Sequence, residues 1–291
     1  MHVCILGQDN SNDDFFSRFN ASAVRFFSVN LNYRNGRFFA IANNTMHMIT
    51  GTGTGDATIH QGGTNGLGKD ALENAAQIDT GETKHVALLF SPDYGEQRLR
   101  LYVGKKGYKT DGLSCGNCTG DALILARNGL AYGSWWYHQG NLPSTNGATN
   151  KGTFGTVRAL AVYGGKLEDV STNPNKPTQG KKLQYLCATL CLFISRSILT
   201  HVLLVVLADQ SSGVYILDYN LSFPDANFSA AGSSFSMRKL NLPTDDYDNV
   251  EWSKSGDIFM QMDNAVGNLI RYSSQTGLIT NVANTKGDGE R

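Results

Sequence analysis

Acidic residues in this 291-residue chain recur at matching places in a pattern of strands. Asp248-Asn249-Val250 opens one strand, and Ile258–Met262, Asp263 and Asn268–Tyr272 follow in order. Glu168-Asp169-Val170 opens another, followed, once a hydrophobic stretch is set aside, by Val205–Ala208, Asp209 and Val214–Tyr219. A looser third copy runs Glu73-Asn74-Ala75-Ala76, His85–Phe90, Asp93 and Arg98–Val103, although Lys69-Asp70-Ala71-Leu72-Glu73 also reads as a short surface helix. Each copy sets one acid just before its first strand and another just after its second. A single acid in such a place caps a turn. Three copies around a common axis would bring their carboxylates together, and converging carboxylates do not all stay ionised without a cation. A flexible, all-oxygen ring of this kind suits Ca²⁺ better than zinc or the strictly octahedral Mg²⁺. The expected metal ligands are Glu73, Asp93, Glu168, Asp248 and Asp263, with Asp209 added by the repeat.

The elements that must position these acids are short strands bounded by Gly, Ser, Asn or Asp. They are expected at His85–Phe90, Arg98–Gly104, Val205–Asp209, Val214–Tyr219, Asn249–Trp252, Ile258–Met262, Asn268–Tyr272 and Leu278–Val282. The last four fit within about 35–40 residues, the size of one four-stranded propeller blade. Gly at 32 of 291, with no triplet period, fits many tight turns. The reading is therefore all-β: one partial β-propeller domain of short antiparallel blades over residues 1–291. Residues 180–204 stand apart as a hydrophobic insert, the apolar run extending from Leu183 to Ala208. Its length would suit a membrane helix, but Arg196 and His201 lie inside it and a central Arg is costly in hydrocarbon. Excising Gly180–Leu204 joins Pro177-Thr178-Gln179 to Val205, an ordinary entry into a strand. A translated intron or similar gene-model artefact is the favoured reading, with a membrane span and a buried helix as the others.

Lys+Arg and Asp+Glu are both 25, a balance that excludes a nucleic-acid coat or a polybasic membrane anchor. Met1-His2-Val3-Cys4-Ile5-Leu6 lacks the basic start and apolar length of a signal peptide. Five sequons, at Asn20, Asn43, Asn117, Asn220 and Asn227, are compatible with secretion. Cys115-Gly-Asn-Cys118 is a lone CxxC, read first as a loop disulfide or two free thiols and second as a zinc or redox site. Gly63–Asp70 narrowly misses a phosphate-binding loop because Asp70 stands where a magnesium-binding hydroxyl belongs. The six histidines show no metal-binding spacing. Trp135-Trp136-Tyr137-His138 reads as a packed blade edge before an aromatic ligand platform.

Glu168-Asp169-Val170, Asp248-Asn249-Val250 and the strand Ile258–Met262 ending at Asp263 resemble blade motifs of the PhoX family of calcium-dependent alkaline phosphatases. The similarity runs from about Asn65 to Ala283, outside the insert. It implies a secreted β-propeller that hydrolyses phosphate monoesters with calcium and ferric ions in its central channel. Glu168 matches the family's metal-bridging glutamate, Asp248 a calcium-binding aspartate, and Asp93 another that follows a strand. Glu73 matches a glutamate that in the family follows a histidine, where this chain has Leu72. The family's iron-ligating cysteine has no counterpart here, so Ca²⁺ is the expected cofactor and iron is not assigned a ligand. The family continues with at least another blade beyond the point matching Arg291, so the propeller is expected to be partial.

In this reading Glu73, Glu168 and Asp248 hold metal while Asp93 and Asp263 complete or orient the shell. Metal-bound phosphoryl oxygens need no protein nucleophile. Lys69, Arg98 and Arg127 are candidate cations for the phosphate. The substrate expected is a small phosphate ester, with no nucleic acid or membrane partner unless 183–208 is a true span, and the protein a monomer. Two other readings stay open: a non-catalytic calcium-stabilised propeller that binds a glycan or protein, and an inactive gene fragment.

Overall fold

The computed structural model describes residues 26–27, 31–32, 37–42, 45–50, 58–61, 74–78, 84–91, 98–156, 167–173, 201–209, 212–221, 230, 232–244, 246–262 and 267–284. Within them the protein is all-β apart from one short helix. Strands β1 (Phe26–Phe27), β2 (Leu31–Asn32), β3 (Arg37–Ala42), β4 (Thr45–Thr50) and β5 (Thr58–Gln61) form a first antiparallel sheet. Strands β6 (Asn74–Ile78), β7 (His85–Ser91), β8 (Arg100–Lys105) and β9 (Gly133–Gln139) form a meander, each antiparallel to the next. A second meander contains β11 (Leu167–Thr172), β12 (His201–Asp209), β13 (Gly213–Leu221) and β14 (Ser234–Lys239). Between them β10 (Thr149–Gly155) pairs with β9 on one side and β14 on the other. The nine strands make one sheet that folds round, almost as a barrel, until its edge strands β6 and β11 lie against each other. The third meander, β15 (Val250–Trp252), β16 (Asp257–Gln261), β17 (Asn268–Ser273) and β18 (Ile279–Asn284), is a separate sheet whose first strand lies beside β11.

Alternation along each strand explains the layering. Side chains on a strand point to opposite faces in turn. On β7, Ala87 and Leu89 enter the core enclosed by the folded sheet, while Val86, Leu88 and Phe90 pack on the opposite face. A strand buried on both faces reads as an unbroken apolar run, as Val86–Phe90 within β7 does. On β13, Tyr215, Leu217, Tyr219 and Leu221 point into the enclosed core. Val214 and Ile216 point outward to Val250, Trp252, Ile258, Met260, Ile270 and Tyr272 of the third meander. The second meander is thus packed between the first and the third.

The helix, α1 (Gly120–Arg127), covers the outer face of the first meander with Leu125, aided by Leu130 and Ala131 just beyond it. The strand-only expectation missed this helix, although its signals are in the chain. Thr119 stands at the N-cap, Asp121 in the first turn and Arg127 in the last, the charges that the helix dipole favours at each end. The CxxC before it is a disulfide, Cys115–Cys118, with a sequence separation of 3. So short a ring removes little chain entropy, giving roughly 2 kcal/mol.

The strands expected from sequence are all present, with ends moved by a few residues. The largest difference is β12, which starts at His201 rather than Val205, and His201–Leu204 pairs with Asp218–Leu221 of β13. Four residues assigned to the hydrophobic insert therefore lie in the ladder. Residues 180–200 of the insert lie outside the described residues. Among the described residues, no helix is long and apolar enough to cross a membrane.

Glycine is required where the two halves of the large sheet join. A Cβ on Gly152 of β10 would run into the Phe235 ring of β14 and the carbonyl oxygen of Gln139 on β9. Gly152→Ala is therefore expected to cost about 1–3 kcal/mol through overpacking, measured as a lower urea midpoint. An unchanged midpoint would show that the join is looser than described.

Candidate metal centre

The Ser171 hydroxyl of β11 ties this strand to β15. Ser171 Oγ donates to Glu251 Oε2 at 3.0 Å and accepts the Trp252 backbone N–H at 3.2 Å. Ser171 and Trp252 are buried, whereas Glu251 keeps contact with solvent. Protein atoms crowding the Glu251 carboxylate push its pKa up, and the Ser171 hydroxyl partly offsets this. Because the residue is exposed, water screens much of that effect.

Glu168, on β11, lies three residues before Ser171, and Asp248, ahead of β15, lies three before Glu251. Asp248 is half-buried. Its N–H donates to Gln261 O at 3.0 Å, its Oδ2 accepts from Asn249 Nδ2 at 2.7 Å, and Gln261 N–H returns to Asn249 O at 2.9 Å. These bonds extend the β15–β16 ladder back to Asp248 and fix the backbone that carries it. In the second meander Leu167 is registered opposite Asp209, so Glu168 and Asp209 come to the same end of the β11–β12 pair. Glu73, Asp93 and Asp263 lie outside the described residues. Among the described residues, no three His, Cys, Asp or Glu side chains gather to hold a metal ion.

Arg98 is buried and donates through Nη1 to the carbonyls of His138, at 2.6 Å, and Gly140, at 3.3 Å. It is committed to the backbone rather than presented to a phosphate. Arg127 is exposed on the last turn of α1, away from the β11–β15 seam in sequence and layer. Lys69 and the Gly63–Asp70 loop lie outside the described residues. The aromatic run on β9 is packed: Trp136 and His138 are buried, and Trp135 sits 5.3 Å from Phe90 and 5.2 Å from Tyr102, centroid to centroid.

No spacing in the sequence signals what surrounds His138. It is fully buried in the enclosed core, stacked on Phe235 at 4.0 Å, edge-on to Phe154 at 5.0 Å, and 3.0 Å from the Tyr219 hydroxyl through Nε2. Its Nδ1 has no hydrogen-bond partner among the described residues. Burial, reinforced by the positive charge of Arg98, pushes the His138 pKa well below the usual histidine value. Tyr102, on the opposite face of the sheet, donates its buried hydroxyl to Gly129 O at 3.1 Å, and burial pushes that phenol's pKa up.

Neither a protein-family model nor a curated protein matches the chain.

Proposed function

We propose that this protein is a PhoX-like, calcium-dependent phosphatase built on propeller blades. The placement of the meanders' first strands carries the reading: β6, β11 and β15 adjoin in that order, and an acid stands at the start of each. Glu73 immediately precedes β6, Glu168 is the second residue of β11, and Asp248 stands two residues before β15. In a propeller the first strand of each blade is the innermost, which would aim these acids at one channel. Their donors are all carboxylate oxygens, the set that Ca²⁺ prefers.

Glu73, Glu168 and Asp248 would hold the metal, with Asp93, Asp209 and Asp263 at the ends of the second strands. Bound calcium would supply charge neutralisation for an in-line displacement at phosphorus and a site for the attacking water. The Asn249 amide restrains the Asp248 carboxylate, and the Ser171 hydroxyl holds β11 to β15, support that such a site would need. Such an enzyme would work outside the cytoplasm, in keeping with the exposure of the sequon residues Asn117 and Asn220.

Hydrolysis of p-nitrophenyl phosphate tests the proposal. Turnover is expected from calcium-loaded protein, to vanish with EGTA and to return when Ca²⁺ is restored. Glu168→Gln and Asp248→Asn are each expected to reduce it by about 100-fold, the upper range for disturbing a metal site. Folded, calcium-loaded protein that binds Ca²⁺ but hydrolyses no ester would overturn catalysis and leave a binding propeller.

A further inference from the structure

We infer that Cys115–Cys118 is a thiol–disulfide exchange site, in which Cys118 is the attacking sulfur and Cys115 the resolving one. This does not depend on the phosphatase reading, since the pair lies on the outer side of the first meander, beside α1.

Three observations support it. First, the two sulfurs are reachable. Both cysteines are half-buried, the intervening Gly116 and Asn117 are exposed, and the space where a Cβ of Gly116 would lie is open. Second, the loop is held in place without the disulfide. Cys115 N–H donates to Gly107 O at 2.8 Å and Gly107 N–H to Ala126 O at 2.7 Å. Tyr108 bridges Ser114, and Lys109 N–H donates to Leu113 O at 2.9 Å. With a ring of only four residues, opening the bond leaves this framework and the core under α1 intact. Third, the two sulfurs are unlike. Cys115 Sγ lies 3.9 Å from the Ala122 carbonyl oxygen, which suits a neutral S–H there and repels a thiolate. Cys118 stands immediately before the N-cap Thr119, where the positive end of the α1 dipole favours negative charge. Asp121 in the first turn acts against that charge, so the Ala122 carbonyl does most to separate the two sulfurs.

The exchange balances with a small disulfide such as oxidised glutathione. The Cys118 thiolate attacks one glutathione sulfur, forming a mixed disulfide and releasing one glutathione thiolate. Cys115 then loses its proton to solvent and attacks Cys118 Sγ, closing the ring and releasing the second glutathione. The protein dithiol is oxidised by two electrons and glutathione disulfide is reduced to two thiols. Excess reduced glutathione drives the same steps backwards.

The full chain is equilibrated in buffers of varied reduced-to-oxidised glutathione ratio, quenched by alkylation and mapped by peptide mass spectrometry. The expected result is reversible conversion of the pair across those ratios, with an unchanged far-ultraviolet circular dichroism spectrum. In the reduced chain Cys118 is expected to alkylate with iodoacetamide at least tenfold faster than Cys115 at pH 7. Cys115→Ser should accumulate a glutathione adduct on Cys118, whereas Cys118→Ser should accumulate far less on Cys115. A pair that opens only when the chain unfolds overturns the exchange site. Equal alkylation rates, or faster reaction at Cys115, overturn the assigned roles.

Discussion

Phe235→Ala is expected to lower stability by about 3–5 kcal/mol, the range for removing a buried aromatic ring. The ring is 3% exposed, lies 4.0 Å from His138 at an interplanar angle of 18°, and meets Phe154 at 5.4 Å and Tyr219 at 6.0 Å. It belongs to β14, the strand that holds β10 on one side and β13 on the other. Truncation therefore empties the point where the first two meanders join, and it also strips the stacking partner from a buried histidine. The opposing strands are hydrogen-bonded in place and have little freedom to collapse into the space. Urea unfolding with an unchanged slope and a lower midpoint would measure the loss. A loss below about 1.5 kcal/mol, within the range of a conservative core swap, would mean that the ring is not packed as described.

Acid is the second large effect. His138 is buried neutral, and its folded pKa lies well below 6.5, the value it regains on unfolding. Between those two values the unfolded chain binds a proton that the folded chain refuses. Stability is therefore complete above about pH 6.5 and falls as the pH drops, by about 1.4 kcal/mol per unit, until the folded histidine itself titrates. The groups facing it explain why: Tyr219 from β13, Phe154 from β10 and Phe235 from β14 pack around the ring, and Arg98 ahead of β8 adds like charge. None of them is a carboxylate that could hold an imidazolium. His138→Gln keeps a polar partner for Tyr219 and removes the titration. Its stability is expected to be flatter than wild type between pH 6.5 and 5. Identical slopes for the two proteins would assign the acid sensitivity to other groups.

Local chemistry set the strands. The alternating or continuous apolar runs at His85–Ser91, Gly213–Leu221, Asp257–Gln261 and Asn268–Ser273 are dictated by which faces they bury, a property of near neighbours in the chain. Turns at Lys254-Ser255-Gly256 and Gln275-Thr276-Gly277 follow from glycine's access to positive φ, which Gly256 and Gly277 adopt at 89° and 72°. The recurring acid at the head of each meander was legible for the same reason: its place is defined relative to one strand.

Long-range pairing was not legible. Thr149–Gly155 reads Thr-Asn-Lys-Gly-Thr-Phe-Gly, mostly polar and flexible, and nothing local marks it as the strand that fastens β9 to β14. Ser171 gave no sign that it would tie β11 to β15, because both of its partners are some 80 positions away in the chain. His138 looked like any core histidine until residues from three other strands and from the Arg98 segment closed around it. The amino-acid sequence alone determined short strands, tight turns and acids at repeated positions, since these depend on backbone preference and nearest-neighbour burial. Only the tertiary structure decided which strands became neighbours, because that choice rests on shape and hydrogen-bond complementarity between segments far apart in the chain.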